Sequence, residues 1–240
     1  MSIKGELLNL TWESKFFKSK IAKLVFTSNA NIIPINKFQQ FDIVETSIDT
    51  NKLALLDTLI NIGFKLVTTY ITFSINIDKI YTDNNLFMNN TNLIFATTND
   101  IKYLKNIAAT IFTNTRFRTP WYSIKNQKKL YSTWIEKSIY GRFDNACLLI
   151  KNNKNEINGF VTIKRLSTQK TAKIGLLGTI PLFRGLKIGT QLIMTACHWC
   201  YINKVKKLYI TTQINNIHAI RLYSNIKSQF ENSFYWLYRG

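Results

Sequence analysis

The chain has 240 residues, 46% of them hydrophobic, with 32 Lys and Arg against 13 Asp and Glu for a formal charge of +19. This length and apolar content suit one large domain or two small ones around a filled core and exclude a disordered chain. Three cysteines argue against a disulfide-stapled secreted scaffold, and no apolar run approaches the roughly 20 residues that a membrane-spanning helix needs.

Glu6 and Glu13 interrupt the amino terminus, so a signal peptide is not expected and a cytoplasmic location with reduced thiols is. The positive charge points to anionic partners. It is also spread from Lys4 to Lys227 without a polybasic block, alongside abundant Asn and Ile, which is what drift in an A/T-rich genome would leave.

The amino-terminal part reads as strand, strand, helix, strand: Ile21 to Thr27, Phe41 to Thr46, Leu53 to Ile62, and Lys65 to Ile77. The helix carries Leu53, Leu56 and Ile60 on one face and stops at Gly63, a suitable residue to follow a helix end. From Tyr81 to Asn92 hydrophobic periodicity disappears, which predicts a linker between domains at 1–80 and 93–240. A short strand over Leu93 to Ala96 follows. Thr98 or Asn99 then caps a helix with Ile101, Leu104, Ala108 and Ile111 on one face. A second helix runs from about Lys125 to Tyr140, ending at Gly141. Strands at Ala146 to Lys151, Ile157 to Leu166 and Ala172 to Leu177 are joined by Asn- and Lys-rich turns. After them come a helix from Lys187 to about Asn203, a strand over Leu208 to Thr212, a helix from Asn216 to Ile226 and an aromatic strand from Phe234 to Tyr238. That last strand could lie at a sheet edge and pair two subunits into a homodimer.

The junction Ile180-Pro181-Leu182-Phe183-Arg184-Gly185-Leu186-Lys187-Ile188-Gly189-Thr190 lies between a strand and a helix. Glycines around an arginine, just before a helix, let the backbone approach an anion while the free N–H groups of the first helical turn point at it. The Pro181, Arg184, Gly185, Gly189 pattern resembles the acetyl-CoA loop of the GNAT superfamily of N-acetyltransferases, usually Arg or Gln, two residues, Gly, one residue, then Gly or Ala. Lys187 stands where that pattern has its middle glycine; lysine adopts positive φ less readily than glycine but adds a cation.

The element order is also that of the GNAT fold, an α/β (α+β) architecture with a mixed central sheet flanked by helices. The resemblance implies that the strands before and after the helix at Lys187 splay apart to admit the pantetheine arm of acetyl-CoA. Leu176 and Leu177 would then lend backbone hydrogen bonds, Arg184 to Thr190 would hold the pyrophosphate, and Asn216 would reach the cofactor arm.

Further segments narrow the likeness. Leu10-Thr11-Trp12-Glu13 with Phe16-Phe17, Arg116-Phe117-Arg118-Thr119-Pro120-Trp121-Tyr122, Gly141-Arg142-Phe143-Asp144, Ile174-Gly175-Leu176-Leu177, Thr212-Gln213 with Asn216, and Tyr235-Trp236-Leu237-Tyr238-Arg239 are one set. They resemble the branch of that superfamily that acetylates the 4-amino group of dTDP-4-amino-4,6-dideoxy-D-galactose in enterobacterial common antigen synthesis. The resemblance implies direct transfer from acetyl-CoA to a nucleotide sugar, with Tyr223 as the proton donor to the departing thiolate; a phenol, with pKa near 10, suits that leaving group. From spacing alone, Ile220, Tyr223 and Ile226 equally describe a buried helix stripe, and Asn216 equally a helix cap.

Arg116 and Arg118 among Phe117, Trp121 and Tyr122 suit a loop that grips phosphate and stacks a thymine; the alternative is a loop whose aromatics cover the core while the arginines stay wet. No general base is readable: His198 and His218 both fall on helices, and a water chain, Glu136 or Asp144 remain open. Cys197 and Cys200 bracket His198 at helical spacing, but a structural metal needs about four ligands and no second Cys/His pair exists, so no metal is expected. Acetylation of another amine, a basic nucleic-acid-binding module, and a GNAT scaffold that lost acetyl-CoA through Lys187 remain the other readings.

Overall fold

A computed structural model describes residues 2–27, 29–83, 93–166 and 170–240. The chain divides into two compact units: Met1–Ile71 with Arg116–Asn126 and Asn232–Gly240, and Thr72–Thr115 with Gln127–Glu231. The contacts thus part the chain differently from the expected domains at 1–80 and 93–240, because the last strand is hydrogen-bonded to the first unit. The predicted linker lies outside the described residues from position 84 onward.

In order, the elements are β1 (Ser2–Lys4), β2 (Glu6–Asn9), α1 (Thr11–Phe17), β3 (Ile21–Val25), β4 (Ile32–Pro34), β5 (Ile43–Asp49), α2 (Leu53–Asn61), β6 (Lys65–Asn76), α3 (Ile77–Asp83), β7 (Ile94–Phe95), α4 (Ile101–Ile111), α5 (Ile124–Ile139), β8 (Ala146–Lys151), β9 (Ile157–Arg165), β10 (Thr171–Thr179), α6 (Ile188–Ile202), β11 (Lys207–Gln213), α7 (Ile217–Asn225) and β12 (Gln229–Arg239). None of the helices among the described residues is long and apolar enough to cross a membrane.

In the first unit the strand order is β2-β3-β5-β12-β6, with β1 and β4 forming a separate pair. The expectation that the last strand is a free edge is overturned: Phe234 to Arg239 pair antiparallel with Asp49 to Val44 of β5, so β12 lies inside the sheet and gives no ground for a dimer edge. Alternation along β12 explains this. Leu237 and Tyr235 enter a core with Leu24, Phe38, Val44, Leu59 and Phe64, while Phe234, Trp236 and Tyr238 face the other way.

The buried face of α2 is Leu55, Leu56 and Leu59, continued by Ile62, and not the predicted stripe; Leu53 and Ile60 are exposed. Gly63 ends the helix as expected, at φ 95°, with its N–H on Ile60 O and that of Phe64 on Leu59 O.

The second unit carries β11-β10-β9-β8-β7 in that order, with α4 and α5 over Cys147, Leu149, Phe160 and Leu176. Leu104 and Ala108 are buried as predicted. A 3₁₀ turn at Thr98–Asp100 leads into α4, and its cap is Thr97, one residue before the expected one: Asp100 Oδ2 accepts from the Thr97 N–H at 2.8 Å and the Thr97 side chain accepts from the Asp100 N–H, a capping box.

Candidate active site

β10 and β11 are parallel and pair only where Thr171 to Lys173 meet Lys207 to Tyr209. Beyond that point they part, the splay that the family resemblance implies. On its other edge β10 pairs antiparallel with β9, and its register shifts between Ile174 and Leu177 so that Gly175 and Leu176 together oppose Thr162.

This β-bulge changes which edge each peptide faces. The Thr171 carbonyl accepts from Leu166, so Thr171 faces β9; at the far end the Ile180 N–H donates to Asn158 O, so Ile180 also faces β9. An odd and an even position can share an edge only if one residue between them is extra, and the bulge supplies it. Leu176 therefore faces β9, where its N–H donates to Thr162 Oγ1 at 2.7 Å, and alternation turns Leu177 toward the gap beside β11.

At the end of β10 the chain passes through a 3₁₀ turn at Pro181–Phe183 and an extended Arg184, turns at Gly185 with φ 81° and at Lys187 with φ 57°, and enters α6. Lys187 thus adopts the left-handed conformation in place of the family's glycine. The first bond of the helix runs from Gln191 N–H to Lys187 O, so the N–H groups of Ile188, Gly189 and Thr190 precede the hydrogen-bonded ladder. Arg184, Gly185, Leu186 and Lys187 are exposed, with Leu182 82% exposed. No atom lies within 4 Å of where a Cβ would stand on Gly185, so its need for glycine is conformational. Gly189 differs: a Cβ there would lie 2.9 Å from Leu222 Cδ2, so this glycine also lets α7 pack on the first turn of α6.

Tyr223 follows Leu222 on α7. Its ring is 5% exposed and stands edge-on to Phe73, centroids 5.7 Å apart. Burial pushes its phenol up to about 12, so the proton stays on at neutral pH. The position is thus the buried one of α7, as the helical spacing of Ile220, Tyr223 and Ile226 allowed. Asn216 caps α7, its Oδ1 accepting from Ala219 N–H at 3.3 Å while Nδ2 donates to Thr212 Oγ1 at 3.0 Å.

Behind the bulge, Asp144 is buried, its Oδ2 accepting from Trp134 Nε1 at 2.8 Å and Ser138 Oγ at 2.9 Å. A Cβ on Gly175 would collide with this carboxylate and with Thr162 Oγ1. Glu136 is bound to Lys105 Nζ at 2.6 Å. His198 is partly buried and desolvation lowers its pKa; Cys147, Cys197 and Cys200 are buried thiols, that of Cys200 raised by burial to about 12.

The four residues assigned to the nucleotide sugar, Arg116, Arg118, Trp121 and Tyr122, lie in the first unit; Phe117 and Tyr122 are buried and Arg118 is exposed, as the second reading has it, and Arg116 departs from both. Arg116 is neither wet nor free to grip a phosphate. Its Nη1 lies 2.6 Å from Glu45 Oε2 and 2.7 Å from Tyr238 Oη, and the guanidinium stacks 4.2 Å from the Phe117 centroid and 4.0 Å from that of Trp236. Desolvation opposes its charge, but the Glu45 carboxylate and Tyr238 more than compensate. A buried carboxylate requires such a partner, and Glu45 in β5, which sequence reasoning passed over, is 6% exposed. Tyr122 is buried against Phe17, Phe117 and Tyr238, and burial raises its pKa. Arg118 sits 5.1 Å from the half-buried Trp121 ring and donates to Thr119 O at 2.9 Å and to Val67 O at 3.2 Å.

Residues 107–226 match the acetyltransferase (GNAT) family. The chain is 29% identical over 239 residues to the dTDP-fucosamine acetyltransferase of Escherichia coli, covering 100% of both. Over 138 residues it is 25% identical to the spore coat polysaccharide biosynthesis protein SpsD of Bacillus subtilis, covering 57% of this chain and 46% of that one. Its fold is similar to that of a GNAT-family acetyltransferase from Colwellia psychrerythraea, with TM-score 0.59, 10% identity, and coverage of 99% of this chain and 81% of that one.

Proposed function

The chain belongs to the acetyltransferase (GNAT) family, and we propose that it transfers the acetyl group of acetyl-CoA to the 4-amino group of dTDP-4-amino-4,6-dideoxy-D-galactose. The observation that carries the reading is the gap between β10 and β11 with the exposed turn and helix start at Gly185 to Thr190 at its end. The acceptor rests on full-length similarity to a protein named dTDP-fucosamine acetyltransferase. In the same reading the enzyme works in the cytoplasm, in synthesis of enterobacterial common antigen.

Acetyl-CoA supplies an activated acyl group as a thioester, and the residues at the gap fit such a molecule. The N–H groups of Ile188, Gly189 and Thr190 and the positive end of α6 take the diphosphate, with Arg184 and Lys187 adding charge. Leu177 presents its peptide groups to the acyl arm. Leu176, whose N–H is held by Thr162 and whose peptide faces β9, supports Leu177 from behind. Asn216 would exchange the Thr212 hydroxyl for a group of the arm. Tyr223 holds a proton that it passes to the departing sulfur, and the acceptor nitrogen loses one proton in return, so charge balances over the cycle. For the acceptor, Arg118 and Trp121 remain available to a phosphate and a base, whereas Arg116 and Tyr122 shape the wall behind them.

Incubation with acetyl-CoA and the 4-amino sugar nucleotide, followed by mass spectrometry, tests this. The expected product carries one acetyl group on nitrogen. Acetylation of polyamine or peptide amines in preference to the sugar nucleotide would overturn the acceptor assignment while leaving the family intact.

A further inference from the structure

The bulge in β10 is held by side chains that belong to no established part of the site. A bulge of this kind sets two residues of one strand against one of its partner and leaves the extra one without a place in the ladder. Here Thr162, fully buried in β9, presents Oγ1 to the Leu176 N–H at 2.7 Å. Beside it, Asp144 packs against the bare α-carbon of Gly175, its Oδ2 fastened by Trp134 Nε1 and Ser138 Oγ. If the Leu176 N–H lost this acceptor, the pressure for the extra residue would go with it. A regular register would then turn the Leu177 peptide toward β9 and away from the gap.

Resting on the acetyltransferase reading above, we propose that Thr162 is a positioning residue for acyl transfer: by binding the Leu176 N–H it keeps the Leu177 N–H aimed into the gap between β10 and β11, where it receives the carbonyl oxygen of the thioester. Gly175 and Asp144 support this arrangement, because a side chain at 175 would collide with the carboxylate. Thr162 touches neither donor nor acceptor. It acts through Leu177, and its loss affects the chemical step more than donor binding, since the contacts of the diphosphate at α6 are unchanged.

The test uses the ¹⁵N-labelled full chain, with amide resonances of Leu176, Leu177 and Ile188 to Thr190 followed on addition of CoA and of acetyl-CoA. Both ligands should shift Ile188 to Thr190, and the acetylated one alone should add a shift at Leu177 while Leu176 stays in place. Thr162→Val, which removes the hydroxyl at constant shape, should speed exchange of the Leu176 amide in the ligand-free protein. It should also lower kcat about tenfold or more with the acetyl-CoA Kd within about threefold, a change of the size expected from a misplaced oxyanion donor. Thr162→Ser keeps the hydroxyl and should restore both properties. An acetyl-dependent shift at Leu176 in place of Leu177, or unchanged exchange with near-normal kcat in Thr162→Val, overturns the inference. So does a kcat loss in Thr162→Val that Thr162→Ser shares. Failure of acetyl-CoA to move Ile188 to Thr190 in the unaltered protein would instead remove the acetyltransferase reading on which this one stands.

Discussion

Replacing Arg116 by Ala should act first on stability and only then on catalysis. The substitution leaves the Glu45 carboxylate, 6% exposed, without the guanidinium 2.6 Å away, and removes the ring contacts at 4.2 and 4.0 Å to Phe117 and Trp236. Breaking one side of a buried ion pair costs about 3–5 kcal/mol because it leaves a buried charge uncompensated, and this is a large part of the 5–15 kcal/mol by which domains are stable. Urea unfolding of Arg116→Ala should show a loss in that range. Glu45→Gln should lose less, because the amide oxygen can still accept from Arg116 Nη1 and the guanidinium, 19% exposed, keeps some water. Combining Arg116→Met with Glu45→Gln should recover part of the loss, because no unpaired charge is then buried. Apparent kcat should fall in Arg116→Ala with the folded fraction, while the Michaelis constants of acceptor and acetyl-CoA stay near those of the parent. A variant of normal stability with a raised acceptor KM alone would refute this account and return Arg116 to the substrate.

Tyr223→Phe should lower kcat about 10²-fold or more with acetyl-CoA affinity within about twofold by calorimetry; near-normal kcat would exclude the acid role. Because the phenol titrates near 12 in the fold against 10.0 ordinarily, it stabilises the fold fully below pH 10 and loses that contribution as pH rises toward 12. Tyr223→Phe should therefore make the alkaline decline in unfolding free energy shallower. Gly189→Ala sets a methyl 2.9 Å from Leu222 Cδ2, so the melting temperature should fall and acetyl-CoA affinity weaken, with Leu222→Ala in the same chain restoring part of the affinity. Lys187→Gly relieves a left-handed lysine at φ 57° but frees the unfolded chain, so stability should change by less than about 1 kcal/mol. Its acetyl-CoA affinity should fall a few fold at low salt and approach that of the parent at high salt.

Local chemistry was readable along the chain wherever short-range rules govern it. Gly63 and Gly141 end helices because positive φ suits glycine, Leu104 and Ala108 recur at helical spacing, and the loop before α6 shows its turn in Arg184-Gly185. The order of strands and helices after residue 93, and with it the fold class, followed from those rules plus resemblance. The same local reading misplaced the buried face of α2, whose pattern of Leu53, Leu55, Leu56, Leu59 and Ile60 supports more than one stripe; packing of Leu59 chose between them. It also set the last strand at an edge, since an aromatic run does not say which neighbour will bond to it.

What the sequence determined by itself is therefore the set of elements and the turn that opens α6. Tertiary structure decided the partners. Glu45 meets Arg116 across 71 positions, and Thr162 meets Leu176 across a hairpin, through hydrogen bonds that exist only once strands are in register. Whether an arginine is a ligand or a counter-ion, and which of two leucines offers its N–H to the gap, depends on burial and on a single inserted residue. Neither leaves a periodic signature, because each arises from contacts between segments distant along the chain.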